Sequence, residues 1–420
     1  MARKLKVLMS AYACEPGKGS EPEVGWQWAL QMARFHDVTV LTRANNRPAI
    51  EAGLAELVGR QPVPRFVYLD LSAAAQRWKK RLGATQLYYW FWQRAARQRL
   101  AALATGARFD LLHHTTFAGY RYPVAVAGHG RPSLWGPIGG VECVPWGLLP
   151  WRHLPSLGRE TLRNLINGAQ TAPGSALGRR AARVTRVLAS TREMQQALNA
   201  LGHPAELMPT VGLDLTRFVP KPSAPSSGPL RFLFVGNLVA LKGIDLALAA
   251  LHTSKSDGRF TIVGDGPFRA TCQRLASRLG LAGRVQFTGR KPRSEVLRMY
   301  RDYDVVLFPS LHDTGGYAVL EGMASGLPVI CLDCGGPALA VQEGCGFKVP
   351  LGSRRAVIAG LAAAIRCYDQ DRALVAAHGQ AARQVLEQEY DWAVKARRMN
   401  EVYLDTVDRF AAAHPGAERV

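Results

Sequence analysis

Asp313 and Glu321 stand eight positions apart on either side of a two-glycine turn, in the stretch Phe308-Pro309-Ser310-Leu311-His312-Asp313-Thr314-Gly315-Gly316-Tyr317-Ala318-Val319-Leu320-Glu321. The stretch reads as an apolar strand, a turn and a helix start. Glycines let a backbone approach a ligand closely because no Cβ intervenes. The first amides of the helix, with the positive end of its dipole, suit a diphosphate. The two carboxylates then suit hydroxyls of a sugar and a ribose. Acids at this spacing also occur as a helix cap with a solvated face, so the pair alone leaves both readings open.

Such a turn needs a sheet to carry it, and the chain supplies two runs of alternating strands and helices. In the first, Leu5–Ser10, Val38–Leu41, Phe66–Leu69, Leu111–His113 and Arg186–Ser190 read as strands, and Gly25–Arg34 as a helix. Trp135-Gly136-Pro137-Ile138-Gly139-Gly140 belongs to a Pro- and Gly-rich region. A Pro/Ser linker, Val219 to Pro229, separates this run from a second one. There Leu230–Val235, Phe260–Val263, Val285–Phe287, Val305–Phe308 and Pro328–Ile330 read as strands. This alternation predicts an α/β protein with two doubly wound, Rossmann-like domains, each a parallel sheet covered by helices. The expected boundaries are 1–219, a linker 220–229, 230–389, and a last helical segment 390–420. Ligands bind such sheets at the carboxyl ends of the strands, so two of them are expected to face each other across a cleft.

Further motifs precede the acid pair. Leu233-Phe234-Val235-Gly236-Asn237 leads through a loop to Lys242-Gly243, and a Lys beside a helix start suits phosphate oxygens. Ile262-Val263-Gly264-Asp265-Gly266-Pro267 is a strand, a tight turn and a Pro favoured at a helix start. Phe287-Thr288-Gly289-Arg290 follows, with Arg290 either at a base or in solvent. Asp302 and Asp304 lie before their strand, on the side away from the expected cleft, and are not read as metal ligands.

From Leu230 to Gly336 these motifs, in this order and spacing, resemble the retaining family-4 glycosyltransferases, the glycosyl transferases group 1 with a GT-B fold, of the bacterial surface-polysaccharide type. The resemblance implies an N-terminal acceptor domain and a C-terminal domain that takes a nucleotide-sugar, with the final helix returning to the N-terminal domain. It implies transfer of a hexosyl group to a hydroxyl with retention, without an enzymatic nucleophile, a cofactor or an obligatory metal. Lys242, Asp313, Glu321 and His114 are then the expected catalytic residues. Gly19, Ser20, Gly236, Asn237, Gly264, Gly266, Arg290, Gly315, Gly316 and Tyr317 join them around the donor. His113, Gly139, Gly140 and Glu142 are expected at the acceptor. Asn237 stands where the family usually has Arg, and Asp313 where it usually has Glu. Two other classes stay open: a non-catalytic GT-B binding module, and a GT-B nucleotide-sugar epimerase or hydrolase.

Charge adds a partner. Residues 1–220 hold 28 Lys+Arg against 13 Asp+Glu, and Ala73 to Phe109 has no acid. There Arg77, Lys79, Lys80, Arg81, Arg94, Arg97 and Arg99 flank Tyr88-Tyr89-Trp90-Phe91-Trp92. Basic residues beside aromatics suit an anionic membrane surface, and equally a solvated helix with its aromatics in the core. No nucleic-acid-binding signature accompanies the charge. No apolar run reaches the ~18–20 residues of a membrane span, and no signal peptide is read. A lipid-linked or glycan acceptor and a place on the inner face of the cytoplasmic membrane are therefore expected. The seven cysteines are scattered. Cys331-Leu332-Asp333-Cys334 lacks the second pair of a zinc site and reads as packing.

Overall fold

The computed structural model describes residues 3–106, 108–117, 119–149, 153–221 and 228–415. The chain divides into two compact units. The first is Met1–Val141, Ala169–Gly212 and Trp392–Val420, and the second is Glu142–Gly168 and Leu213–Asp391. These units are drawn at other residues than the expected domains. Residues 142–168 pack with the second unit, and the changes of unit fall at 212/213 and 391/392. Of the expected linker, residues 222–227 lie outside the described residues.

The first unit is built on β1 (Lys6–Ala11), β2 (Asp37–Thr42), β3 (Arg65–Tyr68), β4 (Leu111–Thr116), β5 (Ser133–Ile138), β6 (Arg186–Ala189) and β7 (Glu206–Leu207). They form one parallel sheet in the order β3-β2-β1-β4-β5-β6-β7. The second unit holds β8 (Arg231–Val235), β9 (Arg259–Val263), β10 (Val285–Gly289), β11 (Val305–Phe308), β12 (Val329–Leu332) and β13 (Gly346–Val349). Its parallel sheet runs β10-β9-β8-β11-β12-β13. Each unit is thus doubly wound and Rossmann-like, as the alternation of strands and helices predicts. In each sheet the strand order reverses beside the first strand, between β1 and β4 and between β8 and β11. The loops leaving two such strands diverge and leave a crevice at their carboxyl ends.

The Pro- and Gly-rich region contributes the strand β5, although Gly136 and Pro137 punctuate it. It is nevertheless buried at every position, as strands covered on both faces are. Its pairing with β6 shifts register between Trp135 and Ile138, so the Pro that cannot donate sits at the irregularity. The strand β13 was also missed, being a short edge strand flanked by glycine with a Lys in it.

The helix Trp392–Ala413 belongs to the first unit. Trp392 is 4% exposed, with its ring centroid 5.1 Å from that of Trp28. Lys395 Nζ donates to the Pro209 carbonyl at 2.5 Å, and Arg398 pairs with Glu206 at 3.1 Å. In the second unit Asp304 anchors the start of β11, accepting from Lys221 Nζ at 2.6 Å and from the Arg231 amide at 2.9 Å. Burial would raise this carboxyl, but the bonds from Arg231 and Lys221 hold it below the usual range. Cys331 and Cys334 are buried, and burial pushes the Cys331 thiol up to about 12. The start of the helix Gly335–Ala340 supports the acid-bearing loop, with the Gly336 amide donating to the Asp313 carbonyl at 2.8 Å.

Candidate active site

The loops after β8 and β11 meet at the crevice of the second unit. The Leu311 amide donates to the Leu241 carbonyl at 2.8 Å, which fixes one loop along the other. Lys242 and Asp313 therefore converge, with Nζ 2.5 Å from Oδ2. The other carboxylate oxygen, Oδ1, accepts from the amides of Gly315 at 3.1 Å and Gly316 at 2.7 Å. Gly316 adopts φ 62 and opens the helix Tyr317–Ala324. The Lys242 ammonium lies 5.2 Å from the Phe308 ring centroid. Burial would raise the Asp313 carboxyl, yet the Lys242 charge beside it and the Gly316 amide hold it below its ordinary value. A cation, two loop amides and a helix start are gathered in one place.

Glu321 lies one turn into that helix with other partners. Arg293 Nη2 is 2.7 Å from Oε1, and the Tyr300 hydroxyl donates to Oε2 at 3.4 Å. Burial raises the Glu321 carboxyl, and Arg293 and Tyr300 oppose that shift. Tyr317 is half-buried, with the Arg293 guanidinium 5.9 Å from its ring. At the neighbouring loop a Cβ on Gly264, at φ +133, would meet the Gly236 carbonyl at 1.9 Å. Only glycine lets those two strand ends approach so closely. Gly266 packs against Leu238 in the same way. Asn237 and Arg290 are exposed at the ends of β8 and β10.

In the first unit the loop after β1 reaches the helix Ser20–Ala33 through Gly19 at φ 68 and Ser20 at φ 53. A left-handed Ser is uncommon and marks a loop held by its surroundings. Its acids do that holding: Glu23 accepts from the Gly17 amide at 2.7 Å, Glu21 from the Phe117 amide at 2.7 Å, and Glu15 pairs with Lys18 at 2.8 Å. Gly139 bridges to Gly119, and Gly140 turns against the Tyr120 ring.

Both strand-end histidines, expected at a ligand, are buried among the first unit's own side chains. His113 Nε2 lies 2.8 Å from the Gly136 carbonyl and Nδ1 lies 2.6 Å from the Tyr403 hydroxyl. A carbonyl only accepts, so Nε2 carries the proton and Nδ1 takes the tyrosine's. With both nitrogens used and 0% exposure, His113, expected at the acceptor, sits in the core of the first unit. His114 is 1% exposed, with Nε2 3.1 Å from the Tyr89 hydroxyl. That hydroxyl donates to the Phe117 carbonyl at 2.7 Å, so His114 Nε2 donates to Tyr89 rather than to a sugar.

Burial depresses His36 and His113 to about 4 and, with His113 beside it, His114 to about 3. Unfolded histidine titrates near ~6.5, so below that pH the unfolded chain binds more protons than the folded one. Stability from these groups is full above about pH 6.5 and falls as the pH drops toward their folded values. The first unit should melt at a lower temperature at pH 5 than at pH 7.5, and His114→Gln should narrow the gap. An unchanged gap in that variant would count against burial as the cause.

Residues 217–384 match the family model of the glycosyl transferases group 1. The chain carries a glycosyl transferases group 1 domain. It is 34% identical over 178 residues to the putative colanic acid biosynthesis glycosyltransferase WcaL of Escherichia coli (strain K12), covering 40% of this chain and 44% of that protein. Its identity to the amylovoran biosynthesis glycosyltransferase AmsK of Erwinia amylovora is 31% over 228 residues, 51% of this chain and 55% of that one. The matches thus span about half the length of these relatives. The fold is shared with Anabaena Alr3699/HepE in complex with UDP and glucose (TM-score 0.61, 18% identity, 96% of this chain and 100% of that one). It is shared too with the lipopolysaccharide outer core galactosyltransferase WaaB (TM-score 0.62, 15% identity, 96% and 99%).

Within the group 1 domain the structure brings Lys242, Asp313, Gly315 and Gly316 into direct contact and gives Glu321 a separate pair of partners. Sequence reading missed those partners, Arg293 and Tyr300, and it missed Phe308 and His312. Arg293 begins a short helix distant in the chain, and no local pattern points from it to Glu321. His312 stood in the quoted motif, but its carboxylate partner comes from elsewhere. That partner is Glu142, expected at the acceptor. Its side chain is 2% exposed and lies 3.4 Å from His312 Nδ1, within the second unit.

Proposed function

We propose that this chain is a retaining glycosyltransferase. It moves a hexosyl group from a nucleotide-diphosphate-sugar to a hydroxyl of a lipid-linked or membrane-proximal glycan, in polysaccharide assembly on the inner face of the cytoplasmic membrane. The observation that carries the reading is the convergence of Lys242, the Gly315 and Gly316 amides and a helix start on Asp313, at the switch point of a group 1 domain. The names of WcaL and AmsK, which concern colanic acid and amylovoran, support the polysaccharide part.

In this reading Lys242 exchanges Asp313 for a phosphate oxygen as the diphosphate departs, and the helix start shares the charge. Asp313 and the two amides hold hydroxyls of the sugar, and Glu321 holds the ribose. The acceptor oxygen bonds to the anomeric carbon on the face from which the phosphate oxygen leaves. The hydroxyl proton passes to that phosphate oxygen. The protein supplies positioning and charge, and no side chain attacks. Because Lys242 and the amides already provide positive charge, the reading includes no obligatory metal.

The membrane part rests on the helices Ala73–Leu82 and Thr85–Gly106. Tyr88, Tyr89 and Trp92 of the aromatic run are core residues, and Arg94 covers Trp90 at 3.8 Å. Leu87 at 47% and Phe91 at 46% exposure, beside the basic residues, are what such a surface would meet. Protein that stays in solution with phosphatidylglycerol vesicles would remove this part.

A melting panel with UDP, GDP, ADP and dTDP, with and without a divalent cation, tests the donor site. A nucleotide at ~100 times its Kd stabilises by ~2.7 kcal/mol. One nucleotide should raise the melting temperature without metal, and Lys242→Ala should abolish the rise. A flat panel would return the chain to the non-catalytic class.

A further inference from the structure

The helix Leu154–Thr171 is amphipathic the wrong way round. Its buried residues are Ser156, Glu160, Asn164 and Asn167, while Leu154, Leu162 and Leu165 are 73%, 59% and 60% exposed. A surface helix ordinarily turns its apolar stripe to the core. The inward polar face has a specific task. Asn164 accepts from the Val144 amide at 3.0 Å and donates to the Val144 carbonyl at 2.7 Å. Asn167 donates to the Glu142 carbonyl at 3.1 Å. Two buried amides thus clamp the backbone of 142–144 from both ends, as a neighbouring strand would.

What the clamp presents is the Glu142 carboxylate, 3.4 Å from Nδ1 of His312. His312 directly precedes Asp313, and its own carbonyl accepts from the Ser310 hydroxyl at 3.1 Å. The backbone is therefore held beside Asp313, and the imidazole faces the Glu142 carboxylate across 3.4 Å. A carboxylate on the Nδ1 side favours the proton there and leaves Nε2 as the ring's acceptor. The His312 side chain keeps 22% exposure, against 2% for Glu142. This is the arrangement of an oriented imidazole whose partner is hidden and whose ring is reachable.

We propose that His312, oriented by Glu142, accepts a hydrogen bond from a hydroxyl of the sugar bound beside Asp313 and so selects among nucleotide-sugars. His312 touches the substrate and Glu142 is a positioning residue. The inference rests on the donor-site reading above. It also replaces the acceptor role expected of Glu142. A site built to bond one hydroxyl discriminates against an epimer that cannot make that bond once the bound sugar has excluded water.

Calorimetric titration of the full chain tests it, with UDP and GDP as probes and with UDP-glucose, UDP-galactose, UDP-N-acetylglucosamine and GDP-mannose. His312→Ala should leave the Kd of the free nucleotide within about twofold. It should reduce the preference between the best nucleotide-sugar and its epimer by about tenfold, the loss of one good hydrogen bond. His312→Asn serves in its place if alanine lowers the yield of folded protein. Glu142→Gln should reproduce part of the loss and move the ¹⁵N imidazole resonances of His312 away from the Nδ1–H tautomer, with Glu142→Asp partly restoring both. Nucleotide binding intact with an unchanged sugar preference, or unmoved ¹⁵N signals in Glu142→Gln, would overturn the dyad. Wild-type protein that binds none of the nucleotides would instead overturn the donor reading and the dyad with it.

Discussion

Replacing Lys242 with alanine is expected to lower turnover by roughly 10²–10³, the cost of losing one preorganised group that meets charge developing in a transition state. Two effects combine. The substitution removes the cation that would meet the departing diphosphate. It also leaves Asp313, whose side chain is only 20% exposed, with the amides of Gly315 and Gly316 alone. An underpaired carboxylate would then repel the phosphates. The double variant Lys242→Ala with Asp313→Asn separates the two. It should regain much of the nucleotide affinity, because the stranded charge is gone, while turnover stays low. The measurement is nucleoside diphosphate release at saturating donor, with the nucleotide-sugar chosen by the melting panel. Lys242→Ala with more than half of the wild-type rate would exclude the lysine from the leaving-group role. Asp313→Asn alone should also slow turnover without unfolding the protein, since the asparagine oxygen still accepts from the two amides.

The second large effect is on stability. Gly243 follows Lys242 at φ +63, and a Cβ there would lie 2.1 Å from the Pro309 carbonyl oxygen. Gly243→Ala therefore meets a left-handed backbone penalty of roughly 1–2 kcal/mol and a backbone collision that forces the two loops apart. A total near 3 kcal/mol or above is expected, in the range reserved for a named steric fault. At roughly 2–4 °C per kcal/mol for a unit of this size, the second unit should melt about 6–12 °C lower. Gly280 is the control, with φ +67 but nothing within 4 Å of the added Cβ. Gly280→Ala should show the conformational penalty alone, about 1–2 kcal/mol. Equal losses at the two positions would mean that the contact with Pro309 is relieved at little cost. Because the collision pushes apart the loops that carry Lys242 and Asp313, Gly243→Ala should also weaken the nucleotide-dependent rise in melting temperature.

The elements were largely legible, and the exceptions have physical causes. The strands before Gly236, Gly264 and Pro309 are apolar runs that end in glycine or proline, and the structure places β8, β9 and β11 there. The strand β5 escaped because Pro137 is a poor strand residue, and only the register shift opposite β6 shows how the sheet tolerates it. Nothing in the order of residues of the helix Leu154–Thr171 says that the asparagines face inward and the leucines outward. That inversion follows from what the backbone of 142–144 requires.

Local pattern therefore determined a good deal by itself. Two doubly wound sheets, a Lys at one helix start and an acid pair around another follow from strand–turn–helix motifs, since backbone geometry and burial periodicity are set over a few consecutive residues. The tertiary structure alone decided which side chains share a partner. It sent His113 to Tyr403, 290 positions away, and so into the core. It paired Glu321 with Arg293, and it brought Glu142 to His312. Such pairings depend on where distant segments pack. A single buried polar contact leaves no period in the chain by which it could be read, because each partner looks locally like any other polar residue until the fold removes water from around it.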